Sequence, residues 1–222
     1  MSTRPHPWHP LRHWLEGWRR QRLLRQLADP AYAFVLEPAP PGEWVSLDCE
    51  TTGLDVRRDH IVSIGAVRIQ GQRILTSQRL ELLVRPPHGV SADSVRIHQL
   101  RARDLAQGLP AQEAVLQLLH FIGSRPLVGY YLEFDLAMIN RVLRPVLGIA
   151  LPQPRNEVSA LYYDHKFRQL PPHRQQSPEI DLRFDTLMRD LGLPQSRAHD
   201  AVNDAVMAAL AFIKLRQLQG AR

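Results

Sequence analysis

Two carboxylates stand two residues apart in the stretch VSLDCETTGLD, residues 45–55, where an apolar run gives way to a turn. If the run is a β-strand, its side chains alternate between two faces, so Asp48 and Glu50 share one face while Cys49 points to the other. Two like charges this close raise each other's pKa unless a cation neutralises them, which favours a hard divalent metal held by oxygen ligands. An ordinary acidic strand end gives the same pattern, and this stretch alone does not decide between the two.

Two later stretches carry residues of matching chemistry. In LVGYYLEFDLAMINRVL an apolar strand passes into a helix that opens at or near Asp135. In RAHDAVNDAVMAALAF a helix carries His199 and Asp204 five residues apart near its start. Because helical neighbours are three or four residues apart, we expect His199 on the preceding loop or the first turn.

The elements around these residues predict an α/β fold. Strand-like runs come first, and QGQ around Gly71 predicts a hairpin between the second and third. A short apolar strand, PLVGYY, then stands among helical patterns. Strands followed by alternating helices and strands predict a mixed sheet with helices on its faces. The predicted strands are 44–48, 61–70 and 73–84, and the predicted helices are about 111–123, 135–147, 182–192 and 199–218.

The N-terminal segment differs from the rest of the chain. Leucines and tryptophans recur at mostly three- and four-residue spacing over residues 11–27, which predicts a basic amphipathic helix rich in arginine. The Pro-dense sequence EPAPPG, residues 37–42, then indicates a linker. We therefore predict a basic helix and Pro-rich linker over residues 1–40 and one main domain over residues 43–218. The basic helix could contact phosphates or an acidic partner, or be only a solvated face.

Composition excludes several classes of protein. The 222 residues are 44% hydrophobic and 23% charged, with a net charge of +6, as in an ordinary globular protein. No apolar run approaches the roughly 18 residues of a membrane helix, and no secretory signal is recognisable, so we expect a cytoplasmic protein that does not enter a membrane. The single cysteine, Cys49, excludes an intrachain disulfide and a Cys-based zinc site. A nucleophilic pair of Cys49 with His199 is the weaker alternative, because strand alternation turns the thiol toward the core.

The motifs DxETTGLD, LVGxxxxFD and HDAxxDA, with SVRIHQL at residues 94–100, together resemble the DEDDh 3′-to-5′ exonucleases. This DnaQ-like group includes the proofreading epsilon subunit of bacterial replicative polymerase, and the resemblance covers about residues 43–215. It implies a ribonuclease-H-like fold with a mixed five-stranded sheet flanked by helices. It also implies His199 as general base and two Mg²⁺ ions, with Mn²⁺ as a substitute. The four metal ligands that it implies are Asp48, Glu50, Asp135 and Asp204.

The resemblance also assigns roles within this set. Asp48 would bridge the two metals, Glu50 and Asp204 would hold the metal that activates water, and Asp135 would hold the metal near the leaving group. Residues expected to contact the 3′-terminal nucleotide are Thr51, Thr52, Leu54 and His98.

The resemblance implies hydrolysis of single-stranded DNA from its 3′ end, with release of nucleoside 5′-monophosphates, in proofreading or repair. Exoribonucleases of the ribonuclease T and oligoribonuclease kind, or a non-catalytic nucleic-acid-binding relative, are the alternatives. A DNA polymerase or another replication or repair protein is the expected partner. Since no tail follows Arg222, we expect the N-terminal helix to be the docking element.

The chain departs from the family pattern in its second motif. Where His-Asn is common, this sequence has Tyr130 and Tyr131, and Glu133 adds an acid two residues before Asp135. We therefore expect substrate positioning, rather than metal binding, to differ from the family.

Overall fold

A mixed five-stranded sheet carries Asp48 and Glu50, and helices next to it carry Asp135 and Asp204. The computed structural model describes residues 9–195 and 199–220. The strands are β1 (Glu43–Thr51), β2 (Ile61–Gln70), β3 (Arg73–Leu83), β4 (Leu127–Gly129) and β5 (Arg155–Glu157). The helices are α1 (His9–Gln26), α2 (Ala92–His98), α3 (Ala102–Leu105), α4 (Ala111–Ile122), α5 (Leu132–Leu147), α6 (Val158–Phe167), α7 (Phe184–Asp190) and α8 (Ala201–Gly220), with 3₁₀ turns at Pro30–Leu36 and Pro172–Arg174.

The sheet has the order β3-β2-β1-β4-β5. The first three strands form an antiparallel meander, whereas β4 runs parallel to β1 and β5 runs parallel to β4. The predicted strands and the hairpin at Gly71 are confirmed. A strand at β5 and helices at α2, α3 and α6 were not predicted.

The two faces of β1 are covered by different helices. Val45, Leu47 and Cys49 lie in a hydrophobic core with residues of α4 and α5. The opposite face packs against α8, whose Phe212 contacts the ring of Trp44 at a centroid distance of 5.5 Å. The predicted alternation along β1 is therefore confirmed, and it turns Asp48 and Glu50 toward the α8 side.

The N-terminal segment contacts the main sheet layer through its second half. Leu27, Val35 and Leu36 are buried in the same core as β1 and α5. The backbone N–H of Ala28 donates to the carbonyl of Leu147, 2.9 Å away, at the end of α5. The side chains of residues 1–16 lie outside the described part of the chain, and the predicted division at residue 40 stays a prediction.

Within residues 9–195 and 199–220, no helix combines the length and the apolar character needed to cross a bilayer. The longest helix, α8, has 20 residues and is packed against the sheet.

Candidate active site

The acidic residues meet where β1 and β4 end. Because these two strands are parallel, their carboxyl ends lie at one edge of the sheet, where ligands bind in open α/β folds. Asp48 and Glu50 lie near the end of β1, and Asp135 lies in the first turn of α5, which follows β4. Asp204 lies in the first turn of α8. All four line one cavity of about 1350 Å³, together with His199.

Burial and the repulsion between neighbouring acids raise the pKa of all four carboxyl groups. Burial, together with the charges of neighbouring acids, raises the pKa of Asp48 well above its usual value. Burial likewise raises the pKa of Asp135 and of Asp204, and it raises the pKa of Glu50 to about 7. Such shifts are expected where several acids share a desolvated site without a cation.

Asp204 joins the acidic cluster to the loop that carries His199. One of its oxygens, Oδ2, accepts a hydrogen bond of 2.9 Å from the backbone N–H of His199. His199 itself is exposed and lies before α8 with a φ of 65°, in the left-handed region, as expected for a loop residue. The other oxygen, Oδ1, is buried and has no hydrogen-bond partner among the described residues.

Ligand atoms of Glu50, His199 and Asp204 lie within 4.8 Å of one another. A buried, unpartnered carboxylate oxygen costs free energy unless a cation or another donor completes it. The donor set, rich in carboxylate oxygen, therefore fits a hard divalent cation.

Gly65 of β2 sets the approach of α8 to the sheet. It pairs with Asp48 across the β1–β2 ladder. A Cβ atom at this position would lie 2.1 Å from the backbone carbon of Ala201 and 2.3 Å from the nitrogen of Val202. Only glycine therefore lets the first turn of α8, with Asp204, reach the acidic pair on β1. Sequence reasoning missed this residue, although a glycine inside a buried strand signals a close backbone approach.

The loop after β1 is held by its own hydrogen bonds. The Thr52 hydroxyl donates to Asp59 Oδ1 at 2.8 Å and accepts from the His60 backbone N–H at 3.0 Å. The Thr51 hydroxyl donates to the carbonyl of Gly53 at 2.7 Å. Both threonines line the cavity, but their hydroxyl protons are already used within the loop.

From α5, the Arg141 guanidinium donates to the backbone carbonyls of Val56 and Asp59. It thereby fixes the same loop to the helix that carries Asp135.

Glu157, at the end of β5, holds the start of α5. Its carboxylate accepts the backbone N–H groups of Tyr131 at 2.9 Å and Leu132 at 2.8 Å. It also accepts the backbone N–H and the hydroxyl of Ser159, so one side chain caps both α5 and α6. The capped turn includes Tyr131, which has a φ of 52°. Glu157 is thus a second positioning residue that sequence reasoning missed.

Three of the residues expected to contact substrate line the cavity, and one does not. Thr51, Thr52 and Leu54 lie in its wall. His98 is buried at the end of α2, its Nδ1 accepts the Leu100 N–H at 3.0 Å, and it is not part of the lining.

Other residues complete the wall. Ser94 and Ile97 of α2 line the cavity in place of His98, as do both residues of the tyrosine pair in the second motif. Glu133 lines it as well, and its side chain is exposed. Cys49 is buried in the core, and burial raises the pKa of its thiol, which keeps it protonated and unsuited to be a nucleophile.

Relatives of the chain are bacterial polymerase subunits. It is 29% identical over 175 residues to the PolC-type DNA polymerase III of Thermotoga maritima, covering 79% of this chain and 12% of that protein. It is 28% identical over 177 residues to the epsilon subunit of DNA polymerase III from Aquifex aeolicus, covering 78% of this chain and 80% of that subunit. The chain thus spans only about an eighth of the PolC-type relatives.

Solved structures share the fold. Escherichia coli ExoI in its zinc-bound complex with ssDNA superposes with a TM-score of 0.66 at 16% identity, over 82% of this chain and 42% of that one. Exonuclease X in complex with 5′-overhanging duplex DNA gives a TM-score of 0.58 at 22% identity, over 80% and 93% of the two chains.

A family model settles the assignment. The RNase T model, described as an exonuclease, matches residues 45–212, which is most of the chain and includes all four acids and His199. The ribonuclease-H-like fold expected from the motifs is confirmed by the mixed sheet flanked by helices. The chain belongs to the RNase T family of exonucleases.

Proposed function

We propose that this protein is a metal-dependent 3′-to-5′ exonuclease that removes nucleoside 5′-monophosphates from the 3′ end of single-stranded DNA. The observation that carries the proposal is the unpartnered, buried Oδ1 of Asp204, a residue whose carboxylate clusters with Glu50 and His199. An acidic cluster of this kind, in a large cavity of a chain from an exonuclease family, is suited to phosphodiester hydrolysis.

The residues present fit two Mg²⁺ ions, with Mn²⁺ as a substitute. Asp48, Glu50, Asp135 and Asp204 would hold them, because carboxylate oxygens are the ligands that these cations prefer. When bound, a pair of such ions supplies Lewis acidity for both the attacking and the leaving oxygen of a phosphodiester.

The remaining chemistry belongs to the His199 side chain. Its imidazole would take the proton from the attacking water, a role that its exposed position on a loop allows. The Asp204 carboxylate restrains that loop by accepting the backbone N–H of His199. This contact keeps the imidazole next to the acidic cluster. Among the described residues, His199 is the one histidine in the wall of the cavity.

The shape of the cavity supports a single strand as substrate. Its volume of about 1350 Å³ exceeds the roughly 300–1,000 Å³ of a small-molecule pocket, which leaves room for the end of a polymer. Three large apolar side chains in its wall are exposed: Leu54 by 85%, Tyr131 by 57% and Ile97 by 53%. Apolar and aromatic side chains stack on bases that are already unstacked, so a duplex would have to melt before binding there.

DNA rather than RNA is proposed because the solved relatives were captured with DNA. No residue in the described part of the lining is assigned to a 2′-hydroxyl, and an exoribonuclease is the second candidate. Because relatives are polymerase III proteins, we also propose a polymerase or another replication or repair protein as partner, with the N-terminal helix as docking element. We also propose a cytoplasmic location.

The test uses single-stranded DNA and RNA of one sequence, labelled at the 5′ end, with Mg²⁺, Mn²⁺ or chelator. We expect a ladder of products shortened from the 3′ end that chelator and Asp48→Ala abolish and His199→Ala slows strongly. Asp164→Ala is the matched control, since Asp164 is an exposed acid outside the cavity. The polymer that is cleaved faster identifies the substrate, and the absence of a ladder on both polymers would refute the proposal.

A further inference from the structure

A second cavity, of about 360 Å³, lies beside the first. Glu133, Ala137 and Arg155 line both cavities, so a continuous surface leads from the acidic cluster to the second one. The other residues of the second cavity all belong to α5: the buried Leu136 and Asn140, and the two arginines Arg141 and Arg144.

The charge of this second cavity is positive. Three arginines face a single carboxylate, Glu133. Many exposed arginines of the described chain are paired with an acid, as Arg79 is with Glu81 and Arg96 with Asp93. Arg144 and Arg155, by contrast, make no side-chain hydrogen bond or ion pair with a described residue, and both are exposed. Two unpaired guanidinium groups in a cavity are available to an anion.

Arg141 has a different part in the same wall. Its guanidinium donates to two backbone carbonyls of the loop after β1. It therefore adds positive charge to the second cavity, but those N–H groups are not available to a ligand. The unpaired groups at Arg144 and Arg155 are therefore the ones that could contact a phosphate directly.

The second cavity extends along α5, away from the acidic cluster. Glu133 lies in the first turn of α5 beside the acidic cluster, and Arg144 lies in its last turn. At about 1.5 Å of rise per residue, the surface between them is about 16 Å long. A stacked strand rises about 3.4 Å along its axis for each nucleotide, so this length matches about five nucleotides, or fewer in an unstacked strand.

We propose that Arg144 and Arg155, with the charge of Arg141, form an upstream subsite that binds backbone phosphates on the 5′ side of the scissile nucleotide. The inference rests on the proposed function, because a strand whose 3′ end lies at the acidic cluster must leave the cavity along some surface. The second cavity is continuous with the first and carries the charge opposite to that of the strand. An acidic protein segment is the rival occupant.

The inference is tested by the dependence of hydrolysis on substrate length. The short substrate is the 4-nitrophenyl ester of thymidine 5′-monophosphate, and the long substrate is an oligothymidylate of about eight nucleotides. We expect Arg144→Ala to leave ester hydrolysis unchanged and to lower kcat/KM for the oligonucleotide about tenfold, mostly through KM. The slope of log KM against log salt concentration should fall by about 0.7, the value for one phosphate contact in a single strand.

The control variant is Arg73→Ala. Arg73 is also exposed, and it lies at the β2–β3 turn, at the opposite end of β1 from the acidic pair. Equal losses on the short and long substrates in Arg144→Ala, or a salt slope that matches that of Arg73→Ala, would overturn the subsite.

A binding experiment separates this inference from the proposed function. Fluorescence anisotropy of the oligothymidylate, labelled at its 5′ end and measured with chelator, requires no turnover. Weaker binding by Arg144→Ala and Arg155→Ala, with a reduced salt slope, supports the subsite even if the wild type cleaves nothing. Unchanged binding overturns it. Binding of a polyglutamate peptide that is as tight as that of the oligonucleotide, and equally lost in Arg144→Ala, would assign the surface to an acidic protein instead.

Discussion

Replacing Gly65 by alanine should slow the reaction without touching any group that takes part in it. The new Cβ atom would lie 2.1 Å from the backbone carbon of Ala201, whereas ordinary contact begins at 3.4 Å, so strand and helix must separate by about 1.3 Å. Asp204 and the loop of His199 move with the start of α8. A displacement of about 1 Å at a catalytic group can cost about 10²-fold in rate, so we expect kcat to fall about a hundredfold.

The assay is single-turnover cleavage of 5′-labelled single-stranded DNA with saturating Mg²⁺, together with thermal unfolding monitored by circular dichroism. Overpacking a buried site typically costs about 1–3 kcal/mol, so Gly65→Ala should remain folded in the cold, where the rates are compared. Gly220→Ala, at the far end of α8, is the matched control, because nothing lies within 4 Å of its added Cβ. A kcat for Gly65→Ala within twofold of that control would refute the idea that the contact at Gly65 sets the position of α8.

Three further changes give distinct results. Glu157→Gln should lower both kcat and the melting temperature, because hydrogen bonds to a charged group contribute about 1.5–3 kcal/mol each; an unchanged kcat would contradict a role in positioning α5. Deleting residues 1–40 uncovers the core around Leu27, Val35 and Leu36 and, at about 1.5–3 kcal/mol for each side chain, should lower the free energy of unfolding by about 5–9 kcal/mol as an upper estimate. Urea titrations measure this loss against a truncation ending at residue 16, and equal stabilities would contradict it. In metal-free protein the pKa of Glu50 is raised from 4.5 to about 7, so the folded state retains a proton that the unfolded chain releases, and the free energy of unfolding should fall as the pH rises between these values. Urea titrations with chelator at the two ends of this range should show a smaller difference in Glu50→Gln than in the wild type.

Sequence patterns predicted the strands and helices whose conformation is determined by their own residues. The second strand was predicted with its observed bounds, 61–70, because it is a long apolar run that ends at the turn of Gly71. By contrast, β5 is only three residues long and reads Arg-Asn-Glu, so its strand conformation depends on pairing with β4. Helix α5 begins at Leu132 rather than at the predicted residue 135, because a carboxylate 25 residues further along the chain caps its first turn.

The site follows the same division. Strand alternation was enough to place Asp48 and Glu50 on one face of β1, because that placement depends on local periodicity, whereas Asp135 and Asp204 were joined to them only by the resemblance of the motifs; all four line one cavity. The prediction that His98 contacts the substrate did not allow for the orientation of α2, which keeps His98 out of the cavity wall. That helix presents Ser94 and Ile97, three residues apart, to the cavity and turns the next residue inward. Which face of a short helix points to a cavity depends on packing that its own sequence does not contain.

The two carboxylate oxygens of Asp204 have different surroundings, and this affects how inactive variants should be interpreted. One oxygen anchors the backbone of His199, and the other is buried without a partner among the described residues. An alanine at this position would therefore release the loop of His199, the proposed base, as well as remove a proposed metal ligand, so its inactivity would have two causes. The Asp48 carboxylate accepts no hydrogen bond from a described residue, and its removal changes the charge of the cluster without freeing a loop. Asp48→Ala is accordingly the better choice for trapping an uncleaved strand for crystallography.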